Sequence, residues 1–284
     1  MKTVELFKKK TVLSYEVFPP KPTSPINTIY ETLRELKALS PDFISVTYGA
    51  GGGKNNNQTF EIASTIKSYG IESVAHLPCI GLTKDDVVQK IKKLKSVGVD
   101  NLLALRGDLP DAGCAQGDFK YASDLIAFIK SQEDFNILAA CYPQGHIEAK
   151  SKLEDIRHLK HKVEAGANQL VTQLFFDNKF FYAFKERCQL ADINVPIQAG
   201  IMPVINKKQI ERMASLCGVP VPQKFVAMME RYENNPIAMR DAGIAYAIDQ
   251  IVDLIAQGVD GIHLYTMNNP HIARKVHEAI HNLV

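Results

Sequence analysis

The 284-residue sequence is nearly without net charge, at +2. That excludes the strongly basic face that a nucleic-acid binder or an anionic-membrane binder needs. No apolar run approaches the length of a bilayer span. The start, Met1-Lys2-Thr3-Val4-Glu5, mixes charges and holds no signal-peptide core. The five cysteines (Cys79, Cys114, Cys141, Cys188, Cys217) form no C-x-x-C pair, so no zinc or iron–sulfur site is readable and no metal is expected. Their scatter and odd number fit a reducing cytosol, and a cytoplasmic protein is expected. Linkers and low-complexity tracts are missing too, so residues 1–284 are expected to form one domain. With 46% hydrophobic and 23% charged residues the composition is that of an ordinary globule, large enough to bury a cofactor.

What the chain does have is alternation. Short apolar, β-branched runs begin near Ser14, Phe43, Glu72 and Asn101, with successive starts 29 residues apart. Further runs begin near Asn136, Gln169, Pro196 and Gly261, which makes eight candidate strands. The intervals read as helices. Ser24-Pro25 supplies an N-cap and first-turn proline ahead of the stripe Ile26, Ile29, Leu33, Leu36, Leu39. Thr83 and Asp86 form a capping box, and Gly98 closes that helix. Helices are also expected over 148–165 and 237–257, each ending at a glycine. Strands joined by helical crossovers are parallel. Eight such units match a single (β/α)8 barrel of the TIM type, with extra helices between strands seven and eight. A Rossmann fold loses its main support, because Phe18-Pro19-Pro20 follows the first strand where G-x-G-x-x-G belongs.

A (β/α)8 barrel carries its chemistry at the carboxyl ends of its strands. There the sequence places Glu16, Thr47 with Tyr48, His76, Arg106-Gly107-Asp108, Tyr142 with His146, Gln173, and Thr266 with Asn268. Each alone has a duller reading. Glu16 reads as a solvated strand carboxylate, His76 as a hydrogen-bonded core histidine, Arg106 and Asp108 as a structural ion pair, and Tyr142 as a barrel cap. Gly51-Gly52-Gly53 is a weak phosphate cradle and equally a turn. Their joint placement at one end is what these readings leave unexplained. After strand five, Asp155, His158 and Lys162 share one helix face with His161 a step around, which is either a solvated face or a site for an anion.

In order and spacing, these segments resemble methylenetetrahydrofolate reductases of the bacterial, catalytic-domain-only type. The resemblance covers essentially the whole chain. It is carried by Tyr15-Glu16-Val17-Phe18-Pro19-Pro20, Val46-Thr47-Tyr48-Gly49-Ala50, His76-Leu77-Pro78-Cys79, Ala104-Leu105-Arg106-Gly107-Asp108, Tyr142-Pro143 with His146 and Glu148-Ala149, Ala165-Gly166-Ala167-Asn168, and Thr172-Gln173 with Phe175-Phe176-Asp177. It implies FAD as cofactor, NADH or NADPH as co-substrate, a one-carbon folate as second substrate, and a homo-oligomer. It implies a ping-pong hydride relay that supplies methyl groups for methionine synthesis. Glu16 then stands at the general acid's position and Asp108 beside flavin and pterin. Gln173 stands where a glutamine serves nicotinamide and folate, Gln209 where one meets folate, and Thr47 on the nicotinamide side. Tyr48, Ala50, His76, Arg106, Gly107, Tyr121, Ala122, Tyr142, His146, Ala149, Asp155 and Lys162 match FAD-contacting positions. His158 and His161 occupy positions along the cofactor's phosphates where relatives often carry Asn and Arg. Asn269 replaces an arginine that meets folate. The adenosylmethionine-responsive regulatory domain of longer eukaryotic forms is not expected.

That chemistry suits these residue types. Opening the folate's five-membered ring expels an amine that needs a proton, and a carboxyl in an apolar setting, expected from Tyr15, Val17 and Phe18, is suited to give it. An ionised Asp108 would stabilise the resulting cation. A glutamine both donates and accepts, so Gln173 can serve a carboxamide and a pterin in turn. The residues alone leave open another folate- or flavin-using barrel such as a pterin methyltransferase, a relative fed electrons by a protein partner, and a folate-binding barrel without catalysis.

Overall fold

A computed structural model describes residues 1–20, 23–48, 56–107 and 117–284, with the backbone alone for 56, 57 and 209. Its eight strands are β1 (Val12–Val17), β2 (Phe43–Val46), β3 (Glu72–Pro78), β4 (Asn101–Leu105), β5 (Asn136–Cys141), β6 (Gln169–Thr172), β7 (Ile197–Ile201) and β8 (Gly261–Tyr265). Each pairs in parallel with the next, and β8 returns to β1 with Val12 opposite Gly261, closing an eight-stranded barrel. The helices between strands are α1 (Asn27–Lys37), α2 (Asn56–Ser68), α3 (Lys84–Ser96), α4 (Ala122–Gln132), α5 (Lys152–Glu164) and α6 (Asn178–Leu190). Three helices separate β7 from β8: α7 (Lys207–Cys217), α8 (Gln223–Arg231) and α9 (Pro236–Ala256); α10 (Pro270–Ile280) follows β8. No helix among the described residues is long and apolar enough to cross a membrane.

The local signals act as the sequence suggests at α3. Thr83 accepts the Asp86 N–H and the Asp86 carboxylate accepts the Thr83 N–H, a reciprocal box that satisfies two open donors. Gly98 then takes φ +75, a left-handed angle that costs glycine little. Two helix starts differ from expectation. Ser24 does not cap α1: the helix begins at Asn27 behind Ile26, which offers no side-chain acceptor, and Pro25 contributes its carbonyl to Thr28 instead. The helix expected from residue 148 starts at Lys152, because Ser151 takes the capping role by accepting the Glu154 N–H.

Strand alternation divides the core in two. Leu13, Tyr15 and Val17 face outward into the large apolar layer beneath the helices. Val12, Phe43, Val74, Leu103, Leu138 and Val171, one from each of six strands, meet inside the barrel with Leu6 and Phe7 of the short 3-10 helix Thr3–Lys8. That helix stoppers the amino end of the barrel. Beside it, Asn136 donates to Thr3 Oγ1, Asn101 Oδ1 and Gln169 Oε1 at 2.9, 3.1 and 3.2 Å, and Thr3 donates to Asn101 and Gln169. Polar groups are therefore not confined to the carboxyl ends of the strands, as the sequence reading has it. Strand position alone does not tell a polar plug from a polar site.

Candidate active site

Glu16 lies one residue before the end of β1, opposite Ser45 of β2 and Tyr265 of β8. Alternation puts it inside the barrel, on the face of Ser14 and away from Tyr15 and Val17. The apolar setting expected from those two neighbours is therefore not the setting of this carboxyl. Its surroundings are imidazole: His76 Nε2 lies 3.5 Å and His263 Nε2 3.6 Å from Glu16 Oε2. The carboxyl makes no hydrogen bond among the described residues. His76 is 6% exposed, and burial pushes its pKa down to about 4 against the opposing pull of Glu16, so the ring is neutral at pH 7. His263, 1% exposed, was not singled out by the sequence reading. Its signal was there: Gly261, His263 and Tyr265 share one face of β8, the face that looks inward.

The rim around Glu16 is fastened by β8. Thr266 Oγ1 donates to the Glu16 carbonyl at 2.6 Å. Asn268 clamps Phe18 from both sides, accepting its N–H at 3.0 Å and donating to its carbonyl at 2.8 Å. This clamp needs Met267 and Asn268 at φ 53 and 54, two successive non-glycine residues in left-handed backbone, which is a strained arrangement of the kind found at ligand sites. Asn269, where the resemblance implies an arginine, caps α10 by accepting the His271 and Ile272 N–H groups.

A second group gathers at the ends of β4 and β5. Arg106 pairs with Glu148 in a two-pronged contact at 2.5 and 2.8 Å; Asp108, proposed as its ion-pair partner, lies outside the described residues. Gly107 between them takes φ +87, and a Cβ there would stand 3.0 Å from Pro78 Cβ, so only glycine fits without displacement. Tyr142 meets His146 edge-on at 4.6 Å; burial raises the tyrosine to about 12 and lowers the histidine. Asp155 is buried, which raises its pKa, while burial lowers that of Lys162, whose ammonium donates to the Ala140 carbonyl at 3.0 Å. Ala149 is half-buried beside them. His158 and His161 are exposed on α5, so the expected shared face brings Asp155 and Lys162 inward and leaves His158 outside.

The remaining predicted positions are scattered. Thr47 and Tyr48 are half-buried after β2; the Tyr48 hydroxyl is buried with no hydrogen-bond partner, and burial raises it to about 12. Gln173 follows β6, where its Oε1 accepts the Leu174 N–H at 3.0 Å and its amide nitrogen has no partner among the described residues. Ala122 is buried at the start of α4, and Tyr121 before it is 51% exposed. Ala50 and the glycines at 51–53 lie outside the described residues, as does the Gln209 side chain, whose backbone is part of α7.

Against known proteins, the sequence model of the family described as methylenetetrahydrofolate reductase matches residues 2–281. The chain belongs to the methylenetetrahydrofolate reductase family. Among its relatives, the 5,10-methylenetetrahydrofolate reductase of Pectobacterium carotovorum is 37% identical over 262 residues, covering 92% of this chain and 87% of the relative. Methylenetetrahydrofolate reductase (NADH) 1 of Arabidopsis thaliana is 35% identical over 94% of this chain but only 49% of its own. A solved structure described as an uncharacterized Clostridium thermocellum protein that binds two copies of 5-methyl-5,6,7,8-tetrahydrofolic acid superposes with a TM-score of 0.70 at 13% identity, over 100% of this chain and 99% of that one. At such identity the likeness is one of fold. Reductases of this family use a flavin and a nicotinamide, and the described residues fit such ligands. The Tyr48 hydroxyl, buried without a partner among the described residues, and the Gln173 amide nitrogen are suited to polar ligand atoms. The Lys162 cation, 5.8 Å from the centre of the Tyr142 ring, suits an aromatic anion.

Proposed function

We propose that the chain reduces methylenetetrahydrofolate to methyltetrahydrofolate with hydride taken from NADH by bound FAD, in two half-reactions at one site. FAD supplies the hydride relay; the protein supplies orientation and a proton. Arg106, His146 and Lys162 hold the anionic cofactor, and Tyr142 packs beside it. Gln173 offers one amide nitrogen to the nicotinamide carboxamide and later to the pterin. Glu16 gives its proton to the amine expelled when the folate ring opens; Asp108, assigned by resemblance, steadies the cation formed. The observation that carries this reading is a carboxyl held inside the barrel, near the mouth, against two imidazoles and without a hydrogen bond to any described residue. A structural carboxylate would be paired. NADH is preferred over NADPH on the likeness to the Arabidopsis protein named for NADH. The chain works as a homo-oligomer, a reading that rests on the resemblance alone.

The test is anaerobic. The purified protein should be yellow, NADH should bleach it faster than NADPH, and methylenetetrahydrofolate should restore the colour. A colourless protein, or a flavin that neither nicotinamide bleaches, contradicts the reading. Light scattering on the same sample reads the oligomeric state, and a monomer contradicts that part.

A further inference from the structure

Glu16 is enclosed by an ordered line of partners. For both His76 and His263 the nearest carboxyl oxygen is Oε2, at 3.5 and 3.6 Å. Behind His263 the line continues. Its Nδ1 lies 2.7 Å from Ser14 Oγ, and Ser14 Oγ accepts the Gln198 amide N–H at 3.0 Å. Ser14 has one hydroxyl proton and two places for it, His263 Nδ1 at 2.7 Å or the Ile262 carbonyl at 3.4 Å. The shorter contact is the better hydrogen bond, so the proton goes to Nδ1. Nδ1 is then an acceptor, so the ring proton sits on Nε2. By the same rule that nitrogen is bonded to Ser45 Oγ at 3.3 Å, with Glu16 Oε2 its second neighbour at 3.6 Å, so it turns its proton to Glu16 only as the carboxyl closes on it. The ring cannot turn away easily, being 1% exposed, stacked on Phe43 at 6.2 Å and edge-on to Tyr265 at 5.4 Å. His76 differs: its Nε2 has no hydrogen-bond partner.

We propose that His263 is a positioning residue for Glu16. With its ring proton on Nε2, it anchors Oε2, leaves Oε1 to meet the substrate, and steadies the carboxylate once its proton has gone. This rests on the reading of Glu16 as the acid. In the step concerned, the carbon–nitrogen bond of the folate ring breaks and its electron pair stays on the amine. The Glu16 proton moves to that nitrogen, Glu16 is left as carboxylate, and nothing is oxidised or reduced. The Nε2–H donor serves the product of this transfer, so it strengthens the acid. At 3.6 Å the contact is long, as such contacts often are before substrate closes them. The other titratable groups facing Glu16 are His76 on β3, neutral through burial, and Tyr265 on β8, whose hydroxyl donates to the Thr172 carbonyl at 2.7 Å and is held above the usual range by burial.

The test uses two amides of different reach. His263→Gln can place a donor where Nε2 stands; His263→Asn reaches only as far as Nδ1. Reoxidation of the prereduced holoenzyme by methylenetetrahydrofolate is followed across pH in an anaerobic stopped-flow. Removing a donor to a carboxylate keeps it protonated to higher pH and makes it a weaker acid. His263→Asn should therefore slow the plateau about tenfold and move its alkaline limb up by about one pH unit. His263→Gln should stay within about threefold with the limb unmoved. Bleaching by NADH, FAD content and melting temperature should match the parent in both. An unmoved limb in His263→Asn, equal behaviour of the two amides, or a parallel fall of both half-reactions overturns the proposal. Failure of the underlying reading is seen separately, as a Glu16→Gln variant whose folate half-reaction is intact.

Discussion

The two ends of the barrel interior are built from similar residues and behave differently. At the amino end Thr3, Asn101, Asn136 and Gln169 tie their side chains to one another, Asn136 alone reaching three acceptors. Single atoms are left over, Asn136 Oδ1 and Gln169 Nε2, but no side chain of the four is without a bond. Toward the carboxyl end the balance reverses. Glu16 has no hydrogen bond, the Tyr48 hydroxyl and His76 Nε2 are buried without partners, and Gln173 has a spare amide nitrogen. Buried polar groups left unsatisfied cost stability, and proteins keep them where a ligand or a reaction uses them. Among the described residues, side chains held by no hydrogen bond at all, Glu16 and Tyr48, are what separate the site from the plug.

The comparison breaks most readily at Glu16. Glu16→Gln keeps the shape but has no acidic proton, so reoxidation by methylenetetrahydrofolate should fall by about 10²-fold or more while bleaching by NADH stays near normal. Equal slowing of both, with FAD still bound, would show Glu16 to be a ligand holder only. The amino end should fail in the opposite way. Asn136→Ala removes three hydrogen bonds from the plug, and stability should drop by roughly 3 kcal/mol in a denaturant melt, with the ratio of the two half-reactions unchanged. A changed ratio would make the plug part of the chemistry.

His76 gives a smaller, pH-dependent effect. Its folded pKa of about 4 lies below the unfolded value of 6.5, so between these the unfolded chain binds a proton that the folded one refuses. Stability is full above pH 6.5 and is lost as pH falls, by about 2 kcal/mol between pH 6.5 and 4.5. His76→Gln should flatten the acid side of the stability curve by that amount; an unchanged slope would mean the ring is not held neutral. Gly107→Ala should cost least, about 1.5 kcal/mol, through its left-handed backbone and the contact with Pro78. It should also loosen FAD, read as a faster rise of flavin fluorescence on dilution; an unshifted melt would rule out the strain.

Much of this was legible beforehand, for physical reasons. Eight β-branched runs, the first four of them 29 residues apart, leave a parallel barrel little competition, and Thr83 with Asp86 shows that a capping box survives replacement of Glu by Asp. What sequence hid was direction. Asn101, Asn136, Gln169, Gln198 and His263 lie in strands, and a polar strand residue points to the lumen or to the helices according to register, which pairing decides. Hence Tyr15 and Val17 were expected around a carboxyl they face away from, and His263 was passed over. Helix starts failed where another group took the cap, as Ser151 does for α5. Asp108 and Ala50 rest on resemblance alone, since both lie outside the described residues.

The most direct test of the difference between the two ends is the melting temperature of the Glu16→Gln holoenzyme beside that of the parent. No hydrogen bond from the described residues holds the Glu16 carboxyl, and glutamine keeps an oxygen for His263, so no described structural contact is removed. The variant that has lost its folate half-reaction should melt at the parent's temperature or slightly above it, as residues kept for function rather than stability do. A fall of several degrees, with FAD released, would place Glu16 with the plug and contradict the account.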